Sequence, residues 1–401
     1  MQNDTMPAAG QNPDSHWLGV WSIAHTNMTR VPAWFDNQTF RTVIRVNPPG
    51  KGARIRVSNR YGSKDIQIGG AAISLCREDG TLISKALPVL FEGMPWRSLA
   101  PGEDVTSDPV EMPVPQGAYL AVDVYYPGKG RFLSGNLFPV LHRGSVEGLH
   151  IGEAKFPGKM RFLVRRLVSR ALPIPVGILA GVDLLSPVDS RAIVAFGDSI
   201  TALNQWTSVL ENRFLKEKPG CLSLLNQGIN GNRLLHDSGF SLTGGIYGPA
   251  GILRFKQDVL SQSGVAAIIS LIGINDLLQP GFTAPRDQEE DADGLVNGMR
   301  GLIHLAHQNG IHIIGGTIMP FGGYLTAHMP EREAVRQSVN RWIREDNEFD
   351  GFIDFDAAVR DPVNPERLTE GWHIGDHLHP NGTGGRAIAS IIETEMLCAC
   401  S

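Results

Sequence analysis

Cysteine is scarce in this chain of 401 residues: there are four, Cys76, Cys221, Cys398 and Cys400. Cys398 and Cys400 lie too close together for a routine bridge, and the spacing fits no common zinc motif, so all four read as ordinary reduced thiols. Charge of one sign is lacking too. Thirty-six basic residues face 41 acidic ones, for a formal net charge of -5, which argues against nucleic acid or an anionic membrane as the main partner. No window approaches the roughly 18 uninterrupted apolar residues of a membrane span. Residues 1–16 lack the basic start and apolar stretch of a secretory signal and read as a loose leader. The expected location is therefore the cytoplasm, or the exterior if a signal lies outside this sequence. Three familiar chemistries are missing as well. There is no Gly-x-Ser-x-Gly elbow, no Gly-Lys-Ser/Thr phosphate loop and no His-Glu-x-x-His zinc helix.

What is present divides the chain in two, as its length suggests. Residues 17–185 carry short period-two runs: Thr42–Val46, Ala53–Ser58, Ile66–Ile68 and Ala118–Tyr126. Turn signals such as Pro48-Pro49-Gly50 and Pro127-Gly128 separate them, which predicts an antiparallel β sandwich. The pattern breaks at Ser186-Pro187-Val188-Asp189-Ser190, and a linker is expected near Leu184–Ser190. From residue 191 to 401, continuous apolar runs alternate with helical spacing. Ala192–Phe196, Leu222–Leu225, Val265–Ile272, Ile311–Ile314 and Phe352–Phe355 read as buried strands. Helices are expected around Trp206–Phe214, Leu295–Ala306, Val335–Ile343 and Gly384–Met396. This predicts an α/β unit with a five-stranded parallel sheet covered by helices.

Ligands of such sheets bind beyond the carboxyl ends of the strands. Four polar clusters fall there: Asp198-Ser199, Asn226–Asn232, Gly273-Ile274-Asn275-Asp276 and Asp376–His379. Each alone is an ordinary turn or cap signal. Together they supply a hydroxyl, imidazoles, carboxylates and amide donors. Gly228 and Gly231 compete for a close-approach role, and His377 competes with His379 as a base. His373, Asp376, His377 and His379 also offer a weaker metal reading. His304 and His307 share a helix face and read as solvated.

These four blocks, in this order and at these wide spacings, resemble the SGNH/GDSL hydrolase superfamily. Gly197-Asp198-Ser199-Ile200-Thr201 matches its first block, Gly231 its second-block glycine, Gly273–Asp276 its third block and Asp376–His379 its Asp-x-x-His block. The β-rich half more loosely resembles the domain that precedes the catalytic one in some bacterial GDSL esterases. The resemblance implies a three-layer flavodoxin-like fold and a serine ester hydrolase that works through an acyl-enzyme without a cofactor or metal. It implies Ser199 as nucleophile, His379 as base and Asp376 as its orienter. It places the oxyanion hole at the N–H groups of Ser199 and Gly231 and the Asn275 amide, with Asp198 in support. The expected substrates are short-chain, acetyl-type esters, with a small molecule or glycan as the alcohol part. A lipase or lysophospholipase on longer chains and a carbohydrate-binding protein acting through the β-rich half are the alternatives. One departure stands out: relatives often continue the first block with Asp-Gly, where this chain has Ala202-Leu203.

Overall fold

The computed structural model describes residues 14–30, 33–136, 142–158, 161–162, 177–237, 245–325 and 329–398. Residues 1–13 of the expected leader and Cys400 lie outside the described residues. Cys76, Cys221 and Cys398 are free thiols.

The five apolar runs fall on strands of one parallel sheet: β1 (Arg191–Gly197), β2 (Leu222–Gly228), β3 (Val265–Leu271), β4 (His312–Gly316) and β5 (Gly351–Ile353); the last expected strand is cut short, because Asp354 caps and Phe355 opens the helix Phe355–Val359, and Phe352 is exposed. Their order is β2-β1-β3-β4-β5, the flavodoxin-like arrangement. Ile193, Val194, Ala195 and Phe196 of β1 are fully buried, because β1 has strands on both sides and helices over both faces.

The connecting helices are α1 (Ser199–Ala202), α2 (Thr207–Glu217), α3 (Gly251–Phe255), α4 (Ile274–Leu278), α5 (Ala292–Gln308), α6 (Pro330–Glu345), α7 (Phe355–Val359) and α8 (Gly382–Ser390). Helix α5 starts where the Asp291 carboxylate accepts the N–H of Gly294, and it buries the stripe Leu295, Met299, Leu302, Ile303 and Ala306. Helix α8 ends at Ser390, earlier than its apolar pattern suggests. The Arg213 guanidinium donates to the carbonyls of Ala389 and Ile392 and closes the helix there.

The β-rich half forms two larger antiparallel sheets. One joins Ser15–Ser22, Leu179–Pro187, Gly50–Ser58 and Val110–Val114, with Asp104–Thr106 on the flank of Gly50–Ser58. The other has the order Arg161–Phe162, His142–Glu147, Trp34–Arg45, Tyr119–Arg131, Gly70–Cys76, Leu87–Val89. Both feed one core, which continues into the parallel-sheet half.

Three expectations change. Ser15 and His16 pair with Pro187 and Ser186, so the expected leader stops short of residue 15. Leu184 and Ser186 belong to the strand Leu179–Pro187 rather than to a linker, since Leu184 is fully buried between Leu18 and Ala53. Pro127-Gly128 does not end its strand. It forms an irregularity between Tyr126 and Lys129, with Gly128 at φ 72°, and pairing resumes to Arg131.

The two halves are joined along an exposed strand edge. Ile23 bridges to Asn226 beside β2, the Ser223 hydroxyl donates to the Gly19 carbonyl at 2.6 Å, and the Gly19 N–H donates to Ser263 at 2.8 Å. The edge of β2 is thereby covered, which removes a site for unwanted strand pairing.

Candidate active site

Strand β1 runs straight into the first block. Asp198 is the N-cap of α1: one carboxylate oxygen accepts the Ile200 N–H at 2.9 Å, and Ser199 opens the helix. Gly197 permits this turn, because a Cβ there would lie 2.4 Å from the Leu271 carbonyl of β3. From the far end of the chain, His379 reaches Ser199, with Nε2 2.8 Å from the hydroxyl. Its Nδ1 lies 2.7 Å from an Asp376 carboxylate oxygen, while the other oxygen of Asp376 accepts the N–H groups of Leu378 and His379. The carboxylate fixes the ring proton on Nδ1 and leaves Nε2 to accept from the serine. Partial burial pushes the Asp376 carboxyl up, but the bonds from the His379 ring and backbone outweigh it and hold the group well below the usual carboxylate range.

Gly231, at φ 71°, lies on the wall of the same cavity, and a Cβ there would press 2.8 Å from the Tyr247 ring. Its carbonyl accepts from the Gln279 amide at 2.6 Å. Gly228 is packed elsewhere: its Cβ would lie 2.3 Å from the backbone nitrogen of Ala202, beneath α1. Asn275 is nearly buried, and its amide donates to the Asn232 carbonyl at 3.1 Å. Ser199, Gly231, Asn275 and His379 all line one cavity of about 280 Å³, walled by Leu203, Leu278, Phe282, Tyr247 and Tyr324.

Buried charge underlies this floor. Burial pushes the Asp198 carboxyl up to about 7, the nearby Asp276 charge adds to this, and the Asp198 oxygen not bonded to Ile200 has no partner among the described residues. Burial likewise raises Asp276 to about 6, although it accepts the N–H groups of Leu234 and Leu235. Arg254, also buried, lies over the Phe196 ring and donates to the carbonyls of Gly197 and Gln227, to Asn232 Oδ1 and to Asp258. One guanidinium therefore ties together the ends of β1 and β2 and the loop that carries Gly231.

Sequence reasoning did not find Arg254, Gln279, Tyr247, Tyr324 or Asn230. Arg254 and Asp258 stand four apart in sequence, which by itself marks nothing, and only the fold turns them under the site. Asn230 did leave a signal, since it sits in the polar run after β2, and its amide nitrogen is buried at the cavity with no partner among the described residues.

His377 is not brought to Ser199. At φ 61° it turns away, and its ring lies 4.3 Å from that of His373. Glu370, His373 and His377 do offer ligand atoms within 4.8 Å of one another. However, His373 Nδ1 accepts the N–H groups of Gly375 and His377, which puts the ring proton on Nε2. That tautomer has no lone pair left to hold a cation, so this trio is a poor metal site. His304 and His307 lie on α5 with half-exposed or exposed partners, Gln308 and Asp350.

Residues 195–387 match the GDSL-like lipase/acylhydrolase family. The match falls on the parallel-sheet half of the chain. The protein is a serine esterase. Among solved structures, the hydrolase is similar to a GDSL-like lipase from Bacteroides thetaiotaomicron (20% identity, 52% of this chain and 89% of that one, TM-score 0.37). It is also similar to the acetylxylan esterase Axe2 from Geobacillus stearothermophilus (20% identity, 52% and 95%, TM-score 0.39). A putative acylhydrolase from Bacteroides fragilis shows 19% identity over 53% of this chain and 88% of that one, with a TM-score of 0.36. No curated protein matches the chain. No helix among the described residues is long and apolar enough to cross a membrane.

Proposed function

We propose that the hydrolase cleaves short-chain, acetyl-type esters of polar alcohols, carbohydrates included, with Ser199 as nucleophile, His379 as general base and Asp376 as its orienter. The observation that carries this reading is the His379 ring, bonded to the Ser199 hydroxyl on one side and to Asp376 on the other. Ser199 Oγ attacks the ester carbonyl carbon while its proton passes to His379 Nε2. The negative oxygen that forms faces the N–H groups of Ser199 and Gly231 and the second N–H of the Asn275 amide. Collapse breaks the carbon–oxygen bond, and the leaving alcohol takes the proton from His379. Water then gives a proton to the same nitrogen as its oxygen attacks the acyl carbon; the bond to Ser199 Oγ breaks, Oγ takes the proton back from His379, and the acid leaves. The imidazolium formed in each half-reaction is stabilised by an Asp376 carboxylate that stays ionised.

Support for a short acyl group comes from the volume, since about 280 Å³ must hold the reacting ester and part of the alcohol. Support for a polar alcohol comes from Asn230, Gln279 and Thr283 on the same lining, with a spare buried donor on Asn230. The test is a series of p-nitrophenyl esters of rising acyl length, run beside acetylated sugars, against wild type and Ser199→Ala. Acetate and propionate esters are expected to turn over fastest, with deacetylation of sugars lost in the variant. A rate that climbs with chain length would point to a lipase instead.

A further inference from the structure

A second cavity, of about 190 Å³, lies where the two halves meet, away from Ser199. Both halves build it. From the β-rich half come His25, the strand segment Arg56–Ser58 with Arg60, and the neighbouring Asp104–Thr106; from the other half come Gln227 at the end of β2 and the π-helical turn Lys256–Leu260 that prolongs α3. Such turns are rare and concentrate at functional sites. This one turns Gln257 and Asp258 toward the opposite half.

The rim is a set of polar contacts across the junction. Arg56 donates to Gln262 at 2.6 Å, Gln257 donates to Asp104 at 3.0 Å, and Arg60 pairs with Asp104 and, at 3.4 Å, with Asp258. Arg56 and Arg60 face Asp104 and Asp258, so the formal charges cancel and neither a cation nor an anion is favoured. Deeper in, two side chains more than nine-tenths buried keep a free polar atom. Gln227 donates its amide to Ser22, and its Oε1 has no partner among the described residues. His25 is tied to the backbone of Leu179, and its Nδ1 is likewise unpartnered. Burial, with Arg60 adding to it, lowers His25 to about 4, so the ring is neutral and Nδ1 is an acceptor. A buried acceptor without a donor is costly to the fold.

We infer that this cavity binds a neutral polyhydroxy compound, a single sugar ring or a small polyol, whose hydroxyl groups donate to Gln227 Oε1 and His25 Nδ1. A polyol satisfies both acceptors, carries no charge into a balanced rim, and can accept in turn from the arginines. The volume would otherwise hold about six waters at roughly 30 Å³ each. The site also touches the catalytic floor: Asp258 lines the cavity and bonds Arg254, which in turn holds the Gly197 carbonyl beside the nucleophile.

The experiment is saturation-transfer NMR on the full-length protein with D-glucose, D-xylose and glycerol as probes, and acetate and ethylammonium as charged controls. At least one neutral probe is expected to bind at millimolar concentration. Its affinity should fall about tenfold in Gln227→Met, the loss of one hydrogen bond. Thr106→Trp, at an exposed position on the mouth, should abolish the signal while ester hydrolysis stays at the wild-type rate. No signal from any neutral probe means the cavity holds water alone and overturns the proposal. A signal that survives Thr106→Trp puts the sugar elsewhere and overturns it too, as does equal binding of the charged controls.

Discussion

The two halves of the hydrolase are both built on sheets, yet they treat polar residues in opposite ways. In the antiparallel half, consecutive strands reverse direction, so their ends and loops scatter over two rims. Buried charge there can serve the scaffold: Arg41 forms a two-point pair with Asp123 inside the sheet. In the parallel half every strand points the same way. The chain must therefore emerge on one edge after each strand, and residues 180 positions apart meet within 2.8 Å. Chemistry gathers where topology repeats a direction.

That contrast can be broken experimentally, starting where the effect should be largest. Ser199→Ala and His379→Ala are each expected to lower kcat by about 10⁴-fold or more, with unchanged melting curves. Near-normal turnover in either variant would remove the proposed triad. Asn275→Ala is expected to cost about 10²–10³ in kcat with little change in KM, because in the proposed reaction its amide faces charge that exists only in the transition state. A loss confined to KM would instead make it a ground-state contact.

Leu184→Ala tests the other side of the comparison. It should destabilise the whole chain by about 2–5 kcal/mol in urea melts while leaving kcat of the folded fraction intact. Because one core spans both halves, a single cooperative transition is expected rather than two. Two separated transitions would mean the halves fold independently.

The smallest effect concerns Asp198. Its folded-state value of about 7 lies above its ordinary 3.8, so the native state binds the proton more tightly than the unfolded one. The stability this group contributes is fully present below about 3.8 and is lost as pH rises through about 7. Asp198→Asn, which mimics the neutral acid, should therefore flatten the pH dependence of stability across that window. Parallel stability–pH curves for the two proteins would show that Asp198 is ionised in the fold.

Much of this was legible from residue order. Continuous apolar runs identified the β strands of the parallel sheet, since a strand covered on both faces needs no alternation. Ser199, Gly231, Asn275, Asp376 and His379 each sit in a short polar run just past a strand or before a helix, and the family resemblance singled them out within those runs. Less could be read where a local signal met a tertiary one. Pro127-Gly128 says stop, yet Trp34–Arg45 offers partners beyond it and the strand bulges and continues. Ser186-Pro187 says linker, yet two neighbouring strands hold Leu184–Ser186 in the sheet.

The sequence by itself determined the fold class of each half and the set of groups available for acyl transfer, because period and motif are local properties of the chain. The tertiary structure alone decided that Gly228 packs beneath α1, that the His377 ring lies against His373, and that Arg254 braces the ends of two strands. It also decided that both halves share a core and enclose a second polar cavity. Those are facts about distance between segments remote in sequence, and no local pattern encodes distance.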